Sequence, residues 1–182
     1  TQESSLSASR LESLSRPADL QQLSYVDDSA ESARSIAGSG HAVLFRRPAD
    51  TAYLRAVEIF ASRYGYPQAP AEDFLVYILD KDQKLLHAFP FPYAEIERGE
   101  QRWYMLKVPA TKVPRQFYVA LAFNPHRTKG VYLGMDEHVE QTRSFTGRPT
   151  TGYEPIDVKA EWMVRATVAR SPSSKNPFED PR

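Results

Sequence analysis

Short runs of β-branched and aromatic residues, separated by turn-forming residues, fill residues 41–170 and constrain the fold most strongly. Gln116–Phe123 and Glu161–Val168 alternate with a period of two, which is typical of strands and not of amphipathic helices. About eight strands are predicted, at spacings typical of an all-β sandwich or barrel: His41–Arg47, Tyr53–Ala61, Phe74–Asp80, Lys84–Phe89, Arg102–Val108, Gln116–Phe123, Val131–Gly134 and Glu161–Val168.

Turn signals and the absence of crossover helices indicate that the strands are antiparallel. Asp80, Lys81 and Asp82 form a short connection between two apolar runs, which predicts a hairpin. Pro48 and Pro109 are expected to end the strands that precede them. Since no segment between the strands is long enough for a βαβ crossover, we predict an antiparallel β-sandwich over residues 36–170.

The two ends of the chain differ in composition from the predicted sandwich. Residues 1–40 hold 11 serines and a net charge of −3, whereas residues 41–170 hold two serines and a net charge of +3. We therefore predict an N-terminal arm at 1–35 and an extended C-terminal tail at 171–182. Near-helical leucine spacing predicts one or two docking turns in the arm, with a disordered linker as the alternative. The candidate partner-binding residues of the two ends are Leu6, Leu11, Leu14, Leu20, Leu23 and Phe178.

Composition excludes several classes of protein. The 182 residues contain no cysteine, so disulfides, cysteine-ligated zinc and thiol catalysis are absent. Lysine plus arginine and aspartate plus glutamate both number 23, which argues against a nucleic-acid partner bound through bulk charge. No apolar run approaches the roughly 20 residues of a membrane span.

Five sequence segments resemble a known bacterial module. They are Ser35–Val43 (SIAGSGHAV), Ala56–Gly65 (AVEIFASRYG), Gly130–Asp136 (GVYLGMD), Arg143–Gly147 (RSFTG) and Glu161–Arg165 (EWMVR). Together they resemble an uncharacterised jelly-roll-like module appended to secreted, peptidase and sensor proteins of bacteria such as planctomycetes. Arg143 and Glu161 stand where that module has His and Asp. The resemblance covers residues 35–168 and implies a jelly-roll fold with no assigned activity.

Catalytic motifs are weak throughout the chain. Ser39 lies between two glycines, but the segment lacks the Gly-x-Ser-x-Gly pattern of a nucleophile elbow. The four histidines show no His-Glu-x-x-His spacing. Carboxylates for glycoside hydrolysis are available at Asp73, Asp80, Asp136 and Glu161, but sequence gives no distance between them. We therefore expect a non-catalytic protein, with a hydrolase as the weakest alternative.

An acidic loop after a predicted strand is the best candidate for a metal site. Asp136, Glu137 and Glu140 offer the oxygen ligands that calcium prefers. A solvated acidic loop is the favoured interpretation, so no cofactor is expected beyond this weak calcium candidate.

Loop aromatics are the stronger candidates for binding. Phe91 and Tyr93 lie in an apolar connection and could anchor a protein partner. Tyr64, Tyr66, Tyr132 and Tyr153 could stack on sugar rings. The alternative is that these rings cap the open ends of the sandwich.

The sequence as a whole favours a binding module. The leading hypothesis is an accessory or structural subunit that docks on protein partners through its arms and loop aromatics. The second hypothesis is a carbohydrate-binding module of a secreted or cell-surface protein. Because the sequence begins with Thr1 and resembles a module of secreted proteins, we expect an extracytoplasmic location.

Overall fold

The computed structural model describes residues 19–173, and within them every element except one 3₁₀ turn at Tyr93–Glu95 is a strand. No helix in this range is long and apolar enough to cross a membrane. The strands are β1 Leu20–Leu23, β2 Ser32–Arg34, β3 Gly40–Arg46, β4 Tyr53–Gly65, β5 Asp73–Asp80, β6 Leu85–Pro92, β7 Arg102–Lys112, β8 Gln116–Ala122, β9 Lys129–Asp136, β10 Ser144–Arg148, β11 Gly152–Pro155, β12 Glu161–Trp162 and β13 Val164–Ala169.

These strands form two antiparallel sheets, as expected for a β-sandwich. The first sheet has seven strands in the order β1-β13-β4-β9-β12, with β2 paired to β9 and β7 paired to β4. The second sheet has six strands in the order β11-β10-β3-β8-β5-β6. Every strand pairing among the described residues is antiparallel, which agrees with the predicted hairpins.

All eight predicted strands are present, but residues 19–173 form thirteen strands rather than eight. Four short strands, β1, β2, β10 and β11, escaped prediction, and Glu161–Val168 is divided between β12 and β13. Pro109 does not end its strand, because β7 continues to Lys112. Proline is tolerated there because β7 pairs only with β4 and the register shifts near this point.

The prediction that Leu20 and Leu23 share a helical face is wrong. Both lie in β1, which pairs with β13 at the edge of the first sheet, and Leu23 is buried. Residues 32–34 of the predicted arm likewise form β2 against β9. Backbone hydrogen bonds to open strand edges therefore decide the conformation here, as tertiary context commonly overrides local spacing. The predicted docking turns at Leu6, Leu11 and Leu14 lie outside the described residues, as does Phe178.

Apolar side chains are buried on both faces of the second sheet. The inner face, with Val43, Phe45 and Phe117, packs against the first sheet in the main core. The outer face carries a second buried cluster: Ala42, Leu79, Tyr118, Ala120 and Tyr153, with Leu44, Tyr77 and Phe145 packed against it. A strand that is apolar on both faces must be covered on both. The outer face of this sheet is thus the place where the sandwich departs from a simple two-layer arrangement.

A buried polar joint connects the two sheets beside Trp162. Ser144 of β10 donates a hydrogen bond to the Glu161 carboxylate and accepts one from the Trp162 N–H at 2.8 Å. The backbone N–H of Arg143 also donates to Glu161. The Trp162 indole Nε1 donates to the Phe145 carbonyl at 3.0 Å. The joint therefore fixes the start of β10, whose far end reaches the candidate site.

Candidate ligand-binding site

A cavity of about 450 Å³ opens on the outer face of the second sheet. That volume lies within the range of small-molecule sites. Its lining combines two tyrosine rings, an aliphatic side chain, small floor residues and several polar groups: Gly38, Ser39, Gly40, Tyr77, Leu85, Ala122, Asn124, Gly147, Arg148, Pro149, Thr150 and Tyr153.

Cross-strand register brings these residues together from segments that are far apart in the chain. Gly147 of β10 stands opposite Gly40 of β3 and also opposite Tyr153 of β11. Tyr77 of β5 stands opposite Ala120 of β8, and Ala122 lies two residues further along β8 on the same face. Since residues directly opposite each other share one face of a sheet, glycine and alanine form a floor between two tyrosines. The small floor leaves room for a ligand.

The floor depends on close backbone approach at Gly147. A Cβ at this position would lie 2.1 Å from the Gly152 carbonyl oxygen, and the φ of Gly147 is +153°. Only glycine fits such a contact with backbone. The sheet can therefore keep β10 and β11 tight beneath the cavity without a side chain filling it.

A tight hairpin presents the polar rim. The Thr151 N–H donates to the Arg148 carbonyl at 3.2 Å, and Gly152 follows with a φ of +85°. This is the pattern of a three-residue connection closed by a glycine bulge. The turn places Arg148 and Thr150 at the mouth of the cavity, where both are exposed.

The turn between β5 and β6 is hydrogen-bonded to Tyr153, which lines the cavity. Gln83 accepts a hydrogen bond from the Tyr153 N–H at 2.8 Å and donates one to the Tyr153 carbonyl at 2.9 Å. Asp80 holds this turn by accepting from the N–H groups of Asp82 and Lys84, both at 2.9 Å. Three strands separate β5 from β11 in the sheet, so this contact shows that the turn and β11 close over the outer face.

We expect Gln83→Ala to lower the free energy of unfolding by about 1–2 kcal/mol, because two half-buried hydrogen bonds are lost together. Urea unfolding at neutral pH measures the change. Gln141→Ala is the matched control, since Gln141 is an exposed loop residue and should change stability by less than about 0.5 kcal/mol. Equal stability of the two variants would contradict a structural role for the bridge.

Tyr153 behaves as a wall residue and not as an acid or base. Only 6% of the residue is exposed, and burial raises the pKa of its hydroxyl above the usual value, with a further contribution from neighbouring Tyr77. The ring stays neutral at physiological pH and offers an apolar surface with a polar end. Because so little of Tyr153 is exposed, the half-buried Tyr77 offers the more accessible ring in this cavity for stacking against a sugar or another flat polar ligand.

The four tyrosines predicted for carbohydrate binding do not form one site. Tyr153 lines the cavity, whereas Tyr64 and Tyr132 are in tilted ring contact on the first sheet, with 4.7 Å between ring centroids. Tyr132 is 43% exposed and Tyr66, in the loop after β4, is 66% exposed. The predicted tyrosines therefore lie in different parts of the fold, and Tyr153 is the one among them that lines the cavity described above.

Several predicted partner anchors lie in the core. Leu23 and Phe91 are 8% exposed and Tyr93 is fully buried, with its hydroxyl donating to the Phe123 carbonyl. The interpretation of Phe91 and Tyr93 as exposed anchors is wrong, because β6 extends through Pro92 with Phe91 buried, and the 3₁₀ turn that follows buries Tyr93. Leu20, in edge strand β1, is half-buried.

The predicted calcium ligands are divided in the structure. Asp136 groups with Asp27 and His138, whose ligand atoms lie within 4.8 Å of one another, but Glu137 and Glu140 are outside this group. Both oxygens of Asp136 already accept backbone hydrogen bonds, from Asp27 at 2.9 Å and from His138 at 2.8 Å. Glu137 accepts from Ser32 at 2.8 Å. The group thus serves to fix two loops against each other.

Potential catalytic groups are also engaged in structure. Ser39 shares a 3.0 Å hydrogen bond with the Thr146 hydroxyl. Asp136 and Glu161 are directly opposite each other on β9 and β12, and both are 1% exposed. Neither acid lines the cavity.

Three residues that line the cavity were not predicted from the sequence: Tyr77, Leu85 and Asn124. A signal for Tyr77 was present, because Phe74–Asp80 is apolar on both faces and so must be covered on both. Asn124 has a φ of +46°, a conformation in which Asn is enriched, but its spacing carried no hint of a cavity.

Comparisons with known proteins bear on the fold. No protein-family model matches the chain, and no curated protein matches it. A structure of the clostridial cysteine protease Cwp84 after propeptide cleavage is similar, with a TM-score of 0.61, 13% identity and coverage of 86% of this chain and 42% of that one. A structure of the cysteine protease and lectin-like domains of Cwp84, a surface layer associated protein of Clostridium difficile, is also similar. Its TM-score is 0.61 at 12% identity, and the match covers 86% of this chain and 37% of that one. This chain thus spans about two fifths of those proteins, and the similarity shows the fold.

Proposed function

We propose that this protein is a non-catalytic carbohydrate-binding module whose site is the cavity on the outer face of the second sheet. The observation that carries the proposal is the floor of small residues between Tyr77 and Tyr153. Sugar rings present apolar C–H faces and polar hydroxyls, and a site for them pairs aromatic walls with hydrogen-bonding groups at the rim. Ser39, Asn124 and Thr150 supply such groups here.

Two further observations support this proposal. The outer sheet face is closed over by a turn, as expected of the concave face of a jelly roll, and we assign that finer architecture to this chain. A similar structure includes a lectin-like domain of a surface layer associated protein. This likeness and the resemblance to modules of secreted proteins support the proposal of an extracytoplasmic location.

Docking on a protein partner is the second proposal. One predicted partner-binding residue, Leu20, is half-buried in β1 and remains a candidate. The other candidates lie outside the described residues: Leu6, Leu11, Leu14 and Phe178. An accessory role through the chain ends is compatible with a sugar-binding cavity, because β1 and the cavity belong to different sheets.

A glycan array followed by calorimetric titration of the best ligand tests the proposal. We expect Tyr77→Leu to weaken glycan binding about tenfold or more, which corresponds to about 1.4 kcal/mol of lost stacking. Tyr132→Leu is the matched control on the first sheet and should bind within about twofold of the parent. Loss of binding in Tyr132→Leu alone would move the site to the first sheet, and a blank array would overturn carbohydrate binding.

A further inference from the structure

The cavity that we propose as a sugar site carries an unbalanced positive charge. Arg148 is its only charged lining residue, and neither aspartate nor glutamate lines it in the part of the chain that the structure describes. Ser39, Asn124 and Thr150 can bond the hydroxyls of a neutral sugar, but a neutral sugar gives no role to the cation beside them. A rim with one cation and no acid is better matched to a ligand that brings its own negative charge.

The Arg148 guanidinium is available for such a ligand. Within residues 19–173 it has neither a hydrogen-bond acceptor nor an acidic partner, and the side chain is exposed. By contrast, the Arg63 guanidinium donates to three backbone carbonyls, and Arg165 pairs with Asp28 at 2.6 Å. Arg148 is thus held near the mouth by its hairpin while its donors stay unused.

The position of Arg148 relative to the rest of the cavity favours a carboxylate attached to a ring. Its Nη2 atom lies 3.1 Å from the point where a Cβ on Gly38 would stand, so the guanidinium borders the glycine-rich side. Tyr77, Leu85 and Tyr153 provide apolar surface in the same cavity. A free inorganic anion would leave that surface uncovered, whereas a pyranose carrying a carboxylate would occupy both parts.

We infer that the ligand is an acidic saccharide whose carboxylate is bound by Arg148 while its ring packs on Tyr77 beside Tyr153. This inference rests on the proposed carbohydrate-binding function and names its substrate class. Arginine suits the task because its planar fork can donate two parallel hydrogen bonds to one carboxylate.

The test compares uronic-acid oligosaccharides with their methyl esters, which differ only in charge at the carboxyl group. A panel based on galacturonic, glucuronic and mannuronic acids is titrated against the full chain at low and at physiological salt. We expect at least one free acid to bind tenfold or more tightly than its ester, with the difference shrinking at higher salt. Arg148→Gln should reduce the acid-to-ester ratio to about one, and Arg148→Lys should restore only part of it.

The controls separate the two proposals. Arg34→Gln makes the same change of charge on β2 of the first sheet and should leave the acid-to-ester ratio unchanged. Equal binding of acid and ester by the parent protein would overturn the inference and leave carbohydrate binding standing. An acid preference that survives Arg148→Gln would also overturn it. Failure of both the oligosaccharide panel and a general glycan array would overturn both proposals.

Discussion

Glu161→Ala is expected to lower the free energy of unfolding by about 3–5 kcal/mol at neutral pH, because two buried donors each lose their acceptor at a cost of about 1–3 kcal/mol apiece. Glu161 is 1% exposed and accepts from the Ser144 hydroxyl and the Arg143 N–H. Alanine would leave both donors without an acceptor and open a void beside Trp162. Urea unfolding followed by tryptophan fluorescence measures the loss.

Two companion variants test the cause of that loss. Glu140→Ala removes an exposed carboxylate from a loop and should cost less than about 0.5 kcal/mol. Glu161→Gln keeps the shape and one acceptor oxygen, so it should lose about half as much as Glu161→Ala. If Glu161→Ala were no less stable than Glu140→Ala, the joint between the sheets would not depend on this side chain.

Glu161 also has a defined dependence on pH. Burial raises the pKa of its carboxyl, and the hydrogen bonds from Ser144 and Arg143 only partly oppose that shift. Because the folded state favours the protonated form, the stability that this preference adds is complete below pH 4.5 and is lost as pH rises through the folded pKa. The hydrogen bonds that Glu161 accepts from Ser144 and Arg143 remain at neutral pH. At neutral pH the buried carboxylate bears part of the cost of desolvation. For this reason all of its hydrogen bonds must be formed.

The strands of the core could be predicted because their residues alternate. In Gln116–Phe123 the predicted inner face is buried, with Phe117, Val119 and Leu121 no more than 1% exposed. Burial of the opposite face was not predicted, yet Tyr118 and Ala120 are buried as well. What covers them includes Phe145 and Tyr153, from strands too short to show a period of their own.

The candidate site could be predicted only in part, because its residues converge through strand pairing. Tyr153 was identified by its type and loop position, but Tyr77 and Arg148 lie 76 and five residues away from it in sequence. No local spacing relates such positions; the order of strands in the second sheet does. At Leu20 and Leu23 the local spacing was misleading, because a spacing of three residues suggests a helix. Pairing with β13 makes this segment a strand.

His41→Phe is expected to remove an acid sensitivity from the fold. His41 is 2% exposed, its Nδ1 has no hydrogen-bond partner among the described residues, and its ring packs edge-on against Trp162 at 4.3 Å between centroids. Burial lowers the pKa of His41 from the usual 6.5 to about 3. Phenylalanine keeps the aromatic contact without a buried unpaired nitrogen, so we expect it to stabilise the fold by about 1 kcal/mol at pH 7.5.

The difference between parent and variant should widen on acidification. Since the unfolded chain binds a proton at His41 below pH 6.5 and the folded protein does not until about pH 3, the parent loses about 1.4 kcal/mol for each pH unit in that window. At pH 4.5 the advantage of His41→Phe should therefore have grown by about 2–3 kcal/mol. Urea unfolding at pH 7.5, 6.5, 5.5 and 4.5 measures it, with exposed His87→Phe as the matched control. The opposite contribution of Glu161 is the same in both proteins, so it cancels when the variant is compared with the parent at each pH. Parallel curves of the free energy of unfolding against pH for parent and His41→Phe would contradict the prediction. They would show that His41 is protonated as easily in the folded protein as in the unfolded chain.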